Sequence, residues 1–172
     1  MNESPKGALM YIEILLPDDN EEIAEMSRMA TAILREHYDP IIGKEQNDYM
    51  LEMFQSENSI KDQIAHGYRY YFVREDDKDL GFFAFYRKKD CLYLSKLYLY
   101  KDQRGKGFSR QLLEMLKTQA KELDLHRIEL NVNKNNPSTK IYEKLGFSIT
   151  REEKNDIGHG YYMDDYVYAI DF

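Results

Sequence analysis

Leu94-Ser95-Lys96-Leu97-Tyr98-Leu99-Tyr100, followed directly by Lys101-Asp102-Gln103-Arg104-Gly105-Lys106-Gly107-Phe108-Ser109, is the stretch whose reading decides the fold. The apolar run reads as a strand and the two glycines as a tight turn. From Phe108 onward, Leu112, Leu113, Leu116, Ala120 and Leu123 recur at helical spacing. Downstream, HRIELNVNKNN supplies a second strand, in which Ile128, Leu130 and Val132 alternate with Glu129, Asn131 and Asn133. PSTKIYEKLGF then supplies a short helix. Strand, helix, strand, helix in that order implies a right-handed crossover with two strands parallel.

The turn carries the chemical signal. Glycines at 105 and 107 let the backbone bend so that several N–H groups point at one spot, at the positive end of the following helix dipole. That arrangement suits a phosphate or pyrophosphate, and Arg104 and Lys106 add positive charge. A P-loop needs G-x-x-x-x-G-K-[ST], which is absent. A dinucleotide fingerprint needs a third glycine where Arg110 stands, and its ribose-binding acid would be Asp124, near the end of the helix.

A third reading accounts for more residues. The block resembles the acyl-CoA-binding core of the GNAT (Gcn-related N-acetyltransferase) superfamily, whose signature is [QR]-x-x-G-x-[GA]. Arg104-Gly105-Lys106-Gly107-Phe108 follows it, with Ser109 in the final small-residue slot. Asn135, seven residues before Tyr142, and the Tyr-Glu-Lys-Leu-Gly-Phe run from Tyr142 are similar to the family's second block. The resemblance covers nearly the whole chain in element order and about its last half in specific residues. It implies an α/β fold (α+β by some schemes), a single domain over residues 1–172. Its sheet would be mixed, mostly antiparallel and twisted, of about seven strands. Helices would cover both faces, and the fourth and fifth strands would form a parallel, splayed pair.

Bulk properties agree with one soluble domain. The chain has 172 residues, 42% of them hydrophobic, with 15 Tyr and 8 Phe, enough for a sizeable core. A net charge of −7 argues against nucleic acid or an anionic membrane as partner. The lone Cys91 forms no intrachain disulfide and suits a reducing, cytoplasmic setting. The first twenty residues meet acids early, so no signal peptide is expected, and no apolar run is long enough to span a membrane.

In chain order, Met10 to Leu16 reads as a strand stopped by Pro17. Asp19 and Glu22 read as a capping box opening a helix to about Tyr38, which Asp39-Pro40 breaks. Tyr49, Met50, Met53 and Phe54 make the apolar face of a second helix, and a helical piece runs from Ser59 to His66. Strands are expected over Tyr68–Val73 and Leu80–Tyr86. Pro137 suits the first turn of the short helix and Gly146 its left-handed end. Phe147–Glu153 and Tyr161–Ile170 make two last strands joined by a long turn, Asn155 to Gly160.

What the resemblance implies for the site is specific. Acetyl-CoA is the cosubstrate. Its pyrophosphate lies on Arg104, Gly105, Lys106, Gly107, Phe108 and Ser109, and its pantetheine pairs as an added strand along Leu97, Tyr98 and Leu99. A backbone N–H there stabilises the oxyanion while a neutral amine attacks directly. Tyr142 protonates the departing thiolate, since a hydroxyl of pKa about 10 is a competent donor at neutral pH; the plainer reading is a packed tyrosine. Asn135 either binds the cofactor or caps a turn. Glu129, His159 and Asp164 stand as candidates for the base, with none singled out. The expected activity is acetyl transfer to a primary amine of a small acceptor. The alternatives are a non-catalytic acyl-CoA-binding module and an enzyme acting on protein amines. Acids at Glu36, Asp39, Glu45, Asp48, Asp156, Asp164 and Asp165 tilt the acceptor toward a cation such as a polyamine. The second-helix region and the YYMDDY stretch also look similar to the polyamine-acetylating branch. Edge strands and the Tyr-rich tail suit a homodimer.

Overall fold

Every strand pairing but one is antiparallel, and the exception opens the molecule. The computed structural model describes residues 9–172. The strands are β1 (Met10–Ile14), β2 (Arg69–Glu75), β3 (Lys78–Arg87), β4 (Leu92–Leu99), β5 (Arg127–Asn133), β6 (Ser148–Gly158) and β7 (Tyr161–Asp171). They form a single sheet in the order β1-β2-β3-β4-β5-β7-β6. The helices are α1 (Asn20–Ile42), α2 (Lys44–Gln55), α3 (Glu57–Ala65), α4 (Phe108–Glu122) and α5 (Thr139–Lys144). The mixed seven-stranded α/β architecture expected from the sequence is the one observed.

The continuous apolar runs in β2 and β3 arise because both faces of the sheet are covered. Tyr70, Phe72, Phe82 and Ala84 pack with Ile23, Met26, Ile33 and Ile60 of α1 and α3. Tyr71, Val73, Phe83 and Phe85 join Leu112, Leu116 and Ala120 of α4 on the other face. Gly81 permits a close approach of β3 and β4: a Cβ there would lie 2.2 Å from the Tyr98 carbonyl oxygen. No helix among the described residues is long and apolar enough to cross a membrane.

Several local expectations shift. Asp19 caps α1, its carboxylate accepting the Glu22 amide at 3.1 Å. The helix does not break at Pro40, however, but runs on to Ile42. Proline removes one amide near the end, while Gly43 still donates to the Asp39 carbonyl at 3.0 Å. Asn47 of α2 also clamps the last turns through the Leu34 carbonyl and the Asp39 carboxylate, at 3.0 and 2.7 Å. The buried residues of α2 are Asn47, Leu51 and Gln55; Met50 and Phe54 line a cavity and Met53 faces solvent. Helix α5 starts at Thr139, two residues past Pro137, because Asn136 Oδ1 takes the Ser138 amide at 2.9 Å and makes a turn first. Gly146, at φ +102°, ends α5 as expected, and Phe147 donates to the Tyr142 carbonyl at 3.0 Å. The last hairpin is longer than expected: β6 pairs through to Gly158, leaving His159-Gly160 as a two-residue turn with both φ positive.

Candidate active site

A phase slip in β4 builds the site. Leu92 and Leu94 face the α4 core, and so do Leu97 and Leu99, three residues on from Leu94 instead of two. The register shows the cause: Ala84 pairs with Lys96 but Phe85 with Leu94, so Ser95 is bulged out. Parallel pairing of β4 with β5 covers only Leu92↔Ile128 and Tyr93↔Glu129 and stops just before this bulge. Beyond it the two strands part, leaving Leu97, Tyr98 and Leu99 with an open edge on the β5 side.

On the α4 face of this gap lies a cleft of about 60 Å³ lined by Leu97, Tyr98, Leu99, Arg104, Ser109 and Tyr142, with His37, Ser138 and Ile141. The turn leads into it. Gly105 and Gly107 adopt φ +75° and +81°, and Gly107 opens α4 without a side-chain cap. Among the described residues no carbonyl or side chain accepts from the amides of Gly105 to Arg110. This row of free donors sits at a helix N-terminus, a ready anion cradle. Arg104 Nε donates to the Leu99 carbonyl at 3.2 Å and ties the turn to the strand. Lys106 stays exposed, 3.5 Å from Gln103 Oε1. Phe108 anchors the helix start on the core. Asn135 is exposed, its amide held by Asn133 Oδ1 at 2.9 Å.

Tyr142 stands at the cleft's inner end. Its ring packs edge-on against Phe147 at 5.6 Å, and no group among the described residues hydrogen-bonds its hydroxyl. Burial raises its pKa, with Tyr38 adding a smaller push, so the phenol keeps its proton. Beside it runs a network that the sequence did not suggest. Asn136 Oδ1 accepts the Ser138 amide, which fixes the amide orientation; its Nδ2 then donates to the Tyr38 hydroxyl at 3.2 Å. His37 Nε2, 3.0 Å from Asn136 Oδ1, must therefore carry a proton, and burial lowers the His37 pKa. Tyr38 and Tyr98 share a hydrogen bond of 3.1 Å.

On the opposite face, α1 and α2 roof a larger cavity of about 260 Å³. A small void of about 30 Å³ between β4 and β5 adjoins both spaces, sharing Tyr38, Ser95, Tyr98 and Asn131 with the cavity and Leu97 and Tyr142 with the cleft. Leu34, Ile42, Met50, Leu51 and Phe54 make the roof; Tyr93, Lys96, Asn131 and Asp165 belong to the sheet below. Of the acids expected on the acceptor side, only Asp165 lines this cavity. Asp48 is taken by Arg35 and Lys44, Asp39 by Asn47 and Asp164 by Lys134; Glu36, Glu45 and Asp156 are exposed. The three candidate bases also lie elsewhere. Glu129 is buried against Arg151 at 2.9 Å, His159 sits in the hairpin turn on Tyr49, and Asp164 binds Lys134.

A gap in a sheet joining an amide-lined cleft to a roofed cavity lets two ligands meet through it, the layout of a group-transfer enzyme. The particular family follows from the sequence: residues 38–161 match the model of the acetyltransferase (GNAT) domain. That is well over half of the chain, and the protein belongs to this family, the N-acetyltransferases of the GNAT class. Solved structures are similar across nearly their full length. The PaiA N-acetyltransferase of Thermoplasma acidophilum, in complex with coenzyme A, is 19% identical with a TM-score of 0.75, covering 95% of this chain and 99% of its own. A GCN5-related N-acetyltransferase of Rhodopseudomonas palustris is 14% identical at 0.77, covering 94% and 95%. YncA of Salmonella typhimurium, with its cofactor acetyl-CoA, is 18% identical at 0.61, covering 95% and 94%. At such identities the likeness speaks for the fold. No curated protein sequence matches the chain.

Proposed function

We propose that the protein transfers the acetyl group of acetyl-CoA to a primary amine of a small acceptor by direct attack. The pyrophosphate lies on the free amides of Gly105 to Ser109, and pantetheine runs along the open edge of Leu97, Tyr98 and Leu99. A β4 amide at the gap meets the thioester oxygen, an interaction worth about 3–4 kcal/mol in the transition state. The amine comes from the roofed cavity. It carries an ammonium in solution and attacks as the neutral form, so the rate rises with pH. Tyr142 gives its proton to the departing thiolate. The observation that carries this reading is the Tyr142 hydroxyl, without a partner among the described residues and with its pKa raised by burial, in a cleft shared with Leu97, Tyr98 and Arg104. Asn135, exposed on its loop, serves the turn in this reading rather than the cofactor.

The test is thiol release from acetyl-CoA over a panel of amines, in wild type and Tyr142→Phe. The variant keeps the ring and loses only the hydroxyl. Its kcat should fall by about 10²–10⁴-fold with little change in acetyl-CoA affinity. Wild-type turnover in the variant would return Tyr142 to a packing role. Acetyl-CoA binding without release of thiol to any amine would favour the non-catalytic module.

A further inference from the structure

We propose that Asp165 receives the ammonium of the acceptor and takes its proton, and that the acceptor is a monoamine with an apolar body, not a polyamine; this rests on the acetyltransferase reading above. Asp165 is 3% exposed, yet it lines the roofed cavity. Its carboxylate has a single hydrogen-bond donor among the described residues, Asn131 Nδ2 at 3.4 Å, a long contact that Asn131 divides with Glu153 at 3.1 Å. A buried carboxylate so poorly satisfied costs stability unless a cation comes to it. Asn131 also lines the void where β4 and β5 part, so this end of the cavity is where an attacking nitrogen belongs.

The rest of the cavity offers a second charge little: its polar lining beyond Lys96 is neutral, with Gln55 Oε1 the buried acceptor left without a partner among the described residues. Its roof is Leu34, Ile42, Met50, Leu51 and Phe54, and Tyr68 and Tyr86 add aromatic wall. Among the described residues its one basic side chain is Lys96, on β4 with β5 between it and the Asp165 strand. Lys96 donates to the Phe54 carbonyl at 3.0 Å, Gln63 Oε1 at 2.8 Å and the Tyr70 hydroxyl, so its N–H groups are spent on the chain. A distal ammonium would give up its water for an apolar roof and one neutral amide oxygen, which do not compensate it; a distal methyl or ring meets what it prefers.

The step balances as follows. The ammonium passes one proton to the Asp165 carboxylate and becomes a neutral amine. Its lone pair forms the C–N bond as the thioester carbonyl becomes an oxyanion. The C–S bond then breaks, the thiolate takes the Tyr142 proton, and the nitrogen's surplus proton returns to the Tyr142 oxygen through solvent. Asp165 releases its proton to water, giving amide, free thiol and one H⁺ overall. The groups facing Asp165 are Glu153 of β6, paired with Arg151; Lys134 beyond β5; Asp164 beside it; and the phenols of Tyr38, Tyr93 and Tyr98. Burial, helped by Asp164 and Glu153, pushes the Asp165 carboxyl up to about 6 against the pull of Asn131 and Lys134.

Hexylamine and cadaverine, of equal length and differing in a terminal methyl against an ammonium, are the probes. Hexylamine should have a kcat/KM at least about tenfold higher. Its kcat/KM should fall below pH about 6, where Asp165 takes up a proton. The nearly isosteric Asp165→Asn should cost about 10²–10⁴-fold in kcat/KM near neutral pH and replace the limb near pH 6 by a rise that continues toward the amine's own pKa of about 10, with acetyl-CoA affinity intact. It should also melt a few degrees higher, because a weakly satisfied buried charge is gone; a merely structural carboxylate would lower the melting point. Calorimetry of both amines on the CoA-saturated protein reads the preference without turnover. Equal or better use of cadaverine, an unchanged pH profile in Asp165→Asn, or no hexylamine binding would overturn the inference. Turnover of some other amine alongside these results would leave the acetyltransferase reading standing.

Discussion

The cleft and the cavity, on opposite faces of one gap, are built from different material. The cleft is mostly backbone: free amides from Gly105 to Arg110, the open edge of β4, and a helix N-terminus. The cavity is side chains from α1, α2, β4, β5 and β7, including Leu34, Phe54, Lys96, Asn131 and Asp165. Backbone can hold a ligand common to many proteins, because amides tolerate many sequences around them. A side-chain cavity changes its chemistry with every substitution, so it can choose among acceptors. The division predicts different responses to mutation.

The largest effect is expected where both regions share support. Gly81 lets β3 lie against Tyr98 and Leu99, and Tyr98 lines cleft, void and cavity alike. A Cβ only 2.2 Å from the Tyr98 carbonyl oxygen forces the strands apart, since the obstacle is backbone. Gly81→Ala should destabilise by about 2–4 kcal/mol in denaturant unfolding, with both acetyl-CoA and amine affinity reduced. A loss confined to one ligand would separate regions that this structure joins.

Next comes a change aimed at the cleft alone. Gly107 has φ +81°, and a Cβ there meets nothing within 4 Å. Gly107→Val should leave the fold intact, because there is room, while disfavouring the left-handed turn by about 1–2 kcal/mol. Acetyl-CoA affinity should fall about tenfold, read by calorimetry, with amine preference unchanged. Full affinity in a folded variant would remove the glycine turn from the cofactor's site.

The same division explains what could be read from the sequence. Glycines 105 and 107, the helical spacing from Phe108 to Leu123 and the run around Tyr142 are contiguous signals, and they located the turn, α4 and the cleft. The bulge was also written there: Leu92, Leu94, Leu97 and Leu99 slip phase at Ser95, within a run read simply as an apolar strand. His37, Asn136 and Lys96 carried no local signal, and Asp165 was one acid among seven with nothing to set it apart. His37 and Asn136 stand ninety-nine positions apart, bonded only once α1 lies over the end of β5. Glu129 misled because a charged strand residue usually faces water; here Arg151 of β6 reaches across to cover it. Of the acids counted as an electrostatic funnel, Asp39, Asp48 and Asp164 are taken by neighbours, and Glu36, Glu45 and Asp156 are exposed outside the cavity lining, which only folded geometry reveals.

The smallest effect concerns Lys96, where the cavity meets the core. Burial holds its ammonium down to about 7, against 10.5 in water. Lys96→Met would remove a buried charge without orphaning its partners. The Phe54 carbonyl still receives Gln63 Nε2 at 2.9 Å, and Gln63 Oε1 still receives the Tyr70 hydroxyl at 2.5 Å. Such a replacement is commonly neutral or stabilising. The pH dependence gives the sharper reading. Between about 7 and 10.5 the unfolded chain holds the Lys96 proton and the folded chain does not, so wild-type stability rises with pH across that window. Below about 7 both states are charged and the full cost of burial is felt; above 10.5 both are neutral and it vanishes. The methionine variant lacks this term. Its advantage over wild type should therefore be greatest near pH 7 and shrink steadily toward pH 10 in parallel urea titrations. A difference constant across that range would mean that Lys96 keeps its proton in the fold, held by three acceptors against its burial. The cavity would then carry a permanent positive charge, and its exclusion of a second cation would be stronger still.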